Sequence, residues 1–192
     1  NLHIRQEANS DYSFIQFAFG SKLGRINLYA DLIGEGANCA LNGLSLSNNT
    51  QHLDAHIITN HQAAHCSSSQ NFKSILKDKS SGVFNGRSIV QASAEKTDSR
   101  QSNKNLLLSK EALMKSNPQL EIYTDDVKCS HGSSTGALES DALFYIRSRG
   151  IDQTSAISLL VGGFASEIIE IIKISSVKNY INDYFDQWIS KN

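Results

Sequence analysis

Little in this sequence announces a function by the usual signals. Its 192 residues include one proline, one tryptophan, one methionine and three cysteines. Cys39, Cys66 and Cys129 are odd in number and widely spaced, which argues against a secreted disulfide framework and for a reducing compartment. Charge is scarce too: 19% of residues are charged, below the roughly 25% usual for soluble domains. The formal net charge of −1 gives no electrostatic reason to expect nucleic acid or an anionic membrane as a partner. The longest uncharged stretch of the C-terminal region, between Asp152 and Glu167, has 14 residues, short of the roughly 20 that span a bilayer. Nucleophile-elbow, P-loop and Cys-x-x-Cys patterns are all missing, so the usual enzyme and nucleotide signals are absent. The opening NLHIRQEANSD has neither the basic region nor the apolar core of a signal peptide. It also lacks an initiator Met and already reads as strand and turn, so the chain is expected to be a fragment without its N-terminal part.

What the sequence does have is Ser, Asn and Gly at short intervals between brief apolar runs. YSFIQFAF (Tyr12–Phe19), RINLYADLI (Arg25–Ile33), CALNGLSL (Cys39–Leu46), HLDAHIIT (His52–Thr59) and GVFNGRSIV (Gly82–Val90) mostly alternate with period 2, as half-buried strands do. Few hairpin signals separate them, and no intervening helix is long enough for a classical crossover. An antiparallel sandwich and a parallel β-helix both fit; a β-helix needs short strands joined by Asn, Gly and Ser corners. Ser67–Asp78 reads as either a short helix or a strand. Leu106–Leu108 starts a strand, and Pro118 is expected to mark a turn into a second strand, Gln119–Tyr123.

After Gly136 the period becomes helical. Ser140 is expected to cap a helix through Arg147, with Gly150 as its stop. Asp152 caps a second helix, with Ile157, Leu160, Phe164, Ile168 and Ile171 on one face. Ser176 opens a third, carrying Val177, Tyr180, Ile181, Tyr184, Phe185, Trp188 and Ile189 at helical spacing. We therefore expect a β body over residues 1–135 and a helical region over 136–192. The helices carry more apolar surface than three short helices can bury among themselves, so they must pack on the body or on a partner. Phe164, Ile168 and Trp188 are candidate partner anchors of the kind that dominate interfaces.

Candidate chemistry is sparse. His61 and His65 would have a metal-ligand spacing if helical, with Cys66 adjacent, but no further ligands follow at a recognisable interval. Cys39 alternates into an apolar strand and reads as core. Asp125 and Asp126 are adjacent, so in a strand they point to opposite faces and cannot act together on one bond. Cys129 and His131 differ: in an extended segment they share a face, and thiolate and imidazole are both ligands for iron or zinc. Two ligands do not close a site. The imidazole must be neutral to bind metal, so binding is expected to weaken in acid.

The segment QLEIYTDDVKCSHGSSTGALESDALFYIRSRGI resembles the signature of the SufB/SufD family of iron–sulfur cluster assembly proteins. SSGVFNGRSIVQASAEKTDSRQSNKNLLLSKEA and LDAHIITNHQAAHCSSSQNFKSIL resemble the stretches that precede it. The KCSHG form favours the SufD branch over the SufB branch. The resemblance implies a mainly β fold: a right-handed parallel β-helix (β-solenoid) followed by a small C-terminal α-helical domain. It implies a non-catalytic scaffold subunit that pairs with SufB through the β-helix and binds the SufC ATPase through the C-terminal helices. Iron or a nascent iron–sulfur cluster would be held transiently at the SufB interface, with no cofactor bound stably by this chain alone. By position, Cys129 and His131 match the motif cysteine and histidine, while Cys66 and His61 match residues of less functional weight. Ser133–Thr135 departs from the Ala-Thr-Val run usual in relatives. The implied setting is the bacterial cytoplasm or the plastid stroma. A SufB-type scaffold, a homodimer and a polysaccharide-acting β-helix enzyme are the alternatives.

Overall fold

The computed structural model describes residues 1–190. Ten strands precede three helices: β1 (Leu2–Gln6), β2 (Asp11–Ala18), β3 (Leu23–Leu32), β4 (Asn38–Ser47), β5 (His52–His61), β6 (Ser67–Leu76), β7 (Ser81–Val90), β8 (Asp98–Leu107), β9 (Leu113–Ile122), β10 (Lys128–Ala137), α1 (Ser140–Arg147), α2 (Gln153–Ile169) and α3 (Ser175–Ser190). Odd-numbered strands make one 5-stranded sheet and even-numbered strands another, and every pairing is parallel. Consecutive strands therefore never pair with each other. The chain winds as a parallel β-solenoid, each coil placing one strand in each sheet, and the antiparallel sandwich is excluded.

The coil length explains why no strict repeat is visible. His52 sits over Ser81, 29 residues on, whereas Ser68 sits over Ser99, 31 residues on. Register is kept by the alternation of inward and outward side chains and not by residue identity. Corners obey a backbone rule instead. Asn9, His65 and Lys96 all have φ between 54° and 59°, and Gly36 has φ 73° at the equivalent corner. Each of these four residues donates its N–H to a carbonyl of the next coil: Glu35, Glu95, Asp126 and Ala64 for Asn9, His65, Lys96 and Gly36. A left-handed residue at a fixed corner is thus the true periodic element, and residues as different as Gly, Asn, His and Lys fill it.

The lumen changes character along the axis. An apolar cluster runs from the first coil into the fourth, with Ile4, Leu28, Leu32, Cys39, Leu41, Ile57, Cys66, Phe72 and Phe84. Gly43 is there because the Phe72 ring lies where a Cβ would be, 2.4 Å from Cδ1. From the third coil on, polar inward positions stand beside that cluster. Thr59, Ser88, Ser99 and Ser68 form a hydroxyl chain at 2.8, 2.6 and 3.0 Å, which ends on the His61 ring.

Helices α2 and α3 cover the outer face of the even-numbered sheet. Leu44, Leu46, Ile75 and Leu106 from that sheet share a second core with Val161, Ala165, Ile168, Ile181, Phe185 and Trp188. Lys73 projects from β6 under α2, where its Nζ donates to the Phe164 carbonyl (2.9 Å) and to the Glu167 carboxylate. Burial and hydrogen bonding together pin the helix to the sheet, and the Lys73 bond holds the Glu167 carboxyl below its ordinary range.

Several sequence expectations change here. Ser67–Leu76 is a strand, because Ser68, Gln70 and Phe72 all face the lumen. Pro118 lies inside β9 and marks no turn. It is tolerated because β9 is an edge strand paired only with β7. Ser140 is the first residue of α1, and Glu139 holds the cap position without a side-chain bond. Asp152 does cap α2, accepting from Ser155 N at 3.0 Å. The buried stripe of α2 comprises Ala156, Val161, Ala165, Ile168 and Ile169, shifted by one position from the expected face at several points because small residues meet the sheet.

Replacing Gly43 with Ala should drive its new methyl into Phe72. Overpacking of this kind costs about 1–3 kcal/mol. Urea titration should show a lower midpoint with an unchanged slope; a midpoint equal to the parent would disprove the packing account.

Candidate functional site

β10 is the edge strand of its sheet, paired with β8 alone. The register places Cys129 on Ser99, His131 on Gln101, Ser133 on Asn103 and Thr135 on Asn105. Since Ser99, Gln101, Asn103 and Asn105 are the buried, inward positions of β8, the same parity turns Cys129, His131, Ser133 and Thr135 towards the lumen. No further coil covers them among the described residues. Cys129 is half-buried and His131, Ser133 and Thr135 are exposed. The two candidate ligands thus share a face, as the spacing predicted, and that face is the open end of the solenoid.

The surroundings of this end are polar and ordered. Ser133 donates to Ser116 at 2.7 Å, Ser116 donates to Asn103 Oδ1 at 2.7 Å, and Asn105 Nδ2 donates to Thr135 Oγ1 at 3.1 Å. Burial pushes the Cys129 thiol above its ordinary pKa and nearby Asp98 adds to this, while a hydrogen bond from the Ser99 backbone opposes both. Deprotonation of Cys129 is therefore disfavoured unless a cation is present to stabilise the thiolate.

The other candidates are dispersed. His61 ends β5 and is fully buried; its Nε2 meets Ser68 Oγ at 2.8 Å while its Nδ1 has no partner. Desolvation lowers its pKa to about 4. Cys66 is buried against the Gly34 carbonyl at 3.2 Å, and burial raises its pKa. His65 is a left-handed corner residue facing Glu35, so the His61–His65 helical spacing does not exist. Cys39 is core, its pKa raised to about 12 by burial. Asp125 and Asp126 fall in the corner before β10, not in a strand, and Asp126 is paired with Lys96. No group of three or more His, Cys, Asp or Glu side chains is arranged to hold a metal ion among the described residues.

The anchors expected for a partner are also relocated. Ile168 is fully buried, Trp188 is 5% exposed, and both belong to the core between helices and sheet. Lys77 Nζ lies 4.6 Å above the Trp188 ring and donates to the Trp188 carbonyl. Phe164 is half-buried under Lys73, whose Nζ is 4.5 Å from its ring. All three pack against the even-numbered sheet of the solenoid. In the helical region the large apolar side chains left in solvent include Phe144, Tyr145, Leu159, Ile174, Val177 and Tyr180.

Sequence reasoning missed Gln70, Gln101, Asn103 and Asn105. The signal for the last three was the alternation in DSRQSNKNLL, where Ser99, Gln101, Asn103 and Asn105 share one face ahead of Leu107. A search for apolar alternation passes over a strand whose lumen side is polar.

These features define a parallel β-solenoid protein with a helical cover on one sheet and a thiol–imidazole pair at an open end. The family model described as "SUF system FeS cluster assembly, SufBD core domain" matches residues 1–164. The chain belongs to this SufBD family. It is 38% identical over 165 residues to the iron-sulfur cluster assembly protein SufD of Escherichia coli, covering 86% of this chain and 39% of that protein. Similarity extends to the chloroplastic protein ABCI7 of Arabidopsis thaliana, 39% identical over 170 residues, which are 87% of this chain and 35% of that one. It is also 36% identical over 177 residues to the SufBD family protein slr0076 of Synechocystis, or 91% of this chain and 39% of that protein. The chain thus spans less than two-fifths of the length of these relatives. No helix among the described residues is long and apolar enough to cross a membrane.

Burial of neutral His61 makes a pH prediction. Its folded pKa of about 4 lies below the unfolded value of 6.5, so below pH 6.5 the unfolded chain binds the extra proton and stability falls until about pH 4. At pH 5 this group alone should cost roughly 2 kcal/mol relative to pH 7. His61→Gln should flatten that part of the profile in urea titrations at the two pH values; an equally steep variant would rule the assignment out.

Proposed function

We propose that this chain is the core of a non-catalytic SufD-type subunit that pairs with a SufB solenoid through its open end. Cys129 and His131 would supply two ligands to cargo iron or a nascent cluster held between the two. The observation that carries this reading is the open final coil. β9 and β10 leave unpaired backbone groups along both edges, while the lumen-facing positions of β10 include the two soft-metal ligands. An exposed parallel edge of this kind is an invitation to another strand and is normally covered. A partner solenoid would cover it and bring the remaining ligands, since a thiolate and an imidazole alone leave a metal site unfinished. The site would be transient, with iron as cargo and not a resident cofactor. A second copy of this chain fits the same edge, so a homodimeric or SufB-type scaffold is the competing reading; the polysaccharide-enzyme reading needs a groove of convergent carboxylates or basic residues, and Asp125 and Asp126, adjacent in the corner before β10, do not supply one. Bacterial cytoplasm or plastid stroma is the setting that accords with three unpaired cysteines and with the relatives named above.

The C-terminal helices would dock the SufC ATPase. With Ile168 and Trp188 committed to the internal core, the docking residues are the exposed ones, chiefly Leu159, Val177 and Tyr180.

Two experiments test this. In the full-length protein, His131→Ala should still co-purify with SufB and SufC but lose its bound iron, because one edge side chain seldom decides a large interface. Failure of the parent protein to co-purify with SufB, or a homodimer in its place, would sink the pairing. For the helices, Leu159→Glu with Tyr180→Glu should weaken SufC binding by roughly 2 kcal/mol or more if they are anchors, with stability changed by only about 0.5 kcal/mol as at exposed sites. Unaltered affinity in calorimetry would place SufC elsewhere.

A further inference from the structure

One buried acceptor near the open end has no partner. Gln101 is 4% exposed and its Oε1 is unpaired. Its orientation is not free. Gln70, one coil below, donates its Nε2 to the Arg87 backbone carbonyl at 3.3 Å and to Thr59 Oγ1 at 3.1 Å. A carbonyl only accepts, so the Gln70 amide cannot turn over, and its Oε1 must accept. Gln101 Nε2 supplies that bond at 3.1 Å. The Gln101 oxygen is thereby turned away from Gln70 and fixed as an acceptor. The residue above it in register, facing the same lumen, is His131.

We propose that Gln101 is a positioning residue for His131: its fixed oxygen takes an N–H from the imidazole when the open end is closed. An imidazole that donates through one nitrogen must present the other as a lone pair, so the amide chain selects the tautomer that can bind metal. The tautomer is thus decided at the Arg87 carbonyl, three hydrogen bonds below the ligand. This inference rests on the proposed role of His131, but its readout is separate from iron handling.

The test uses the full-length protein in complex with SufB, metal-free and labelled with 15N-histidine, with the His131 signals identified by their loss in His131→Ala. The parent should show one protonated and one bare nitrogen, without averaging. Gln101→Met should give averaged nitrogens, and Gln101→Glu with its buried carboxyl protonated, which still donates to Gln70 and keeps an acceptor, should restore a single tautomer. Gln70→Met frees the Gln101 amide to turn and should perturb the His131 signals without touching that ring; it decides the matter if Gln101→Met does not fold. Titration with ferrous iron alone should show binding weakened about 10–100-fold in Gln101→Met and recovered in Gln101→Glu. A parent ring already averaged, or a His131 spectrum identical in parent, Gln101→Met and Gln70→Met, overturns the proposal. If instead the tautomer responds as described but His131→Ala binds ferrous iron as the parent does, the positioning stands and the ligand role falls.

Discussion

In a parallel solenoid each coil closes its backbone hydrogen bonds on the coil before and the coil after. Every interior strand here obeys that constraint, from β3 between β1 and β5 to β8 between β6 and β10, and the rest of the molecule follows from it. Side-chain parity is transmitted from coil to coil, so residues far apart in sequence stack in columns through the lumen. The same constraint makes the last coil different. Among the described residues it has a neighbour on one side only, as the first coil does, and whatever projects inward there is both organised from below and open above.

Lumen chemistry is graded to match. Apolar side chains fill the lumen from the first coil as far as Phe72 and Phe84, whose ring centroids lie 5.3 Å apart. In the later coils hydroxyls and amides stack, each finding its partner in the coil above or below. A satisfied polar network of this kind is rigid, because turning one group leaves another unpaired in low dielectric. Its weak points are the few atoms left over: His61 Nδ1 deep in the lumen, and Gln101 Oε1 and Asn105 Oδ1 beneath the final strand. Two of the three sit directly under β10, where the candidate ligands are.

The helices solve a different problem. One sheet has an outer face of Arg25, Asp54, His56, Arg87 and Glu121, paired among themselves and comfortable in water. The other shows Leu44, Leu46, Ile75 and Leu106, which water would penalise. Folding α2 and α3 onto that face buries it, and Lys73 is neutralised there by Glu167. The apolar excess of the helical region is therefore largely used within the chain, which leaves only its outward residues for a partner.

Local sequence determined a good deal. Period-2 alternation marked β2, β3, β4, β5 and β7 to within a few residues, since inward apolar positions are forced by burial. The Asp152 cap and the helical period after Gly136 were equally legible, because capping and amphipathicity are local. The Cys129–His131 pair was marked as sharing a face by strand geometry alone. Other features depended on neighbours about 30 residues away. β8 has a polar lumen face that only its stacking on β6 makes favourable, and Pro118 is acceptable only because β9 has a free edge. His65 was lost as a ligand to a corner whose hydrogen bond comes from the next coil, and Trp188 became core because the opposing sheet supplied an apolar face. Sequence thus determined which residues alternate, cap and could ligate. Tertiary structure decided which of them are stacked, covered or left at an open end, because parallel coils are joined by hydrogen bonds whose partners no local window contains.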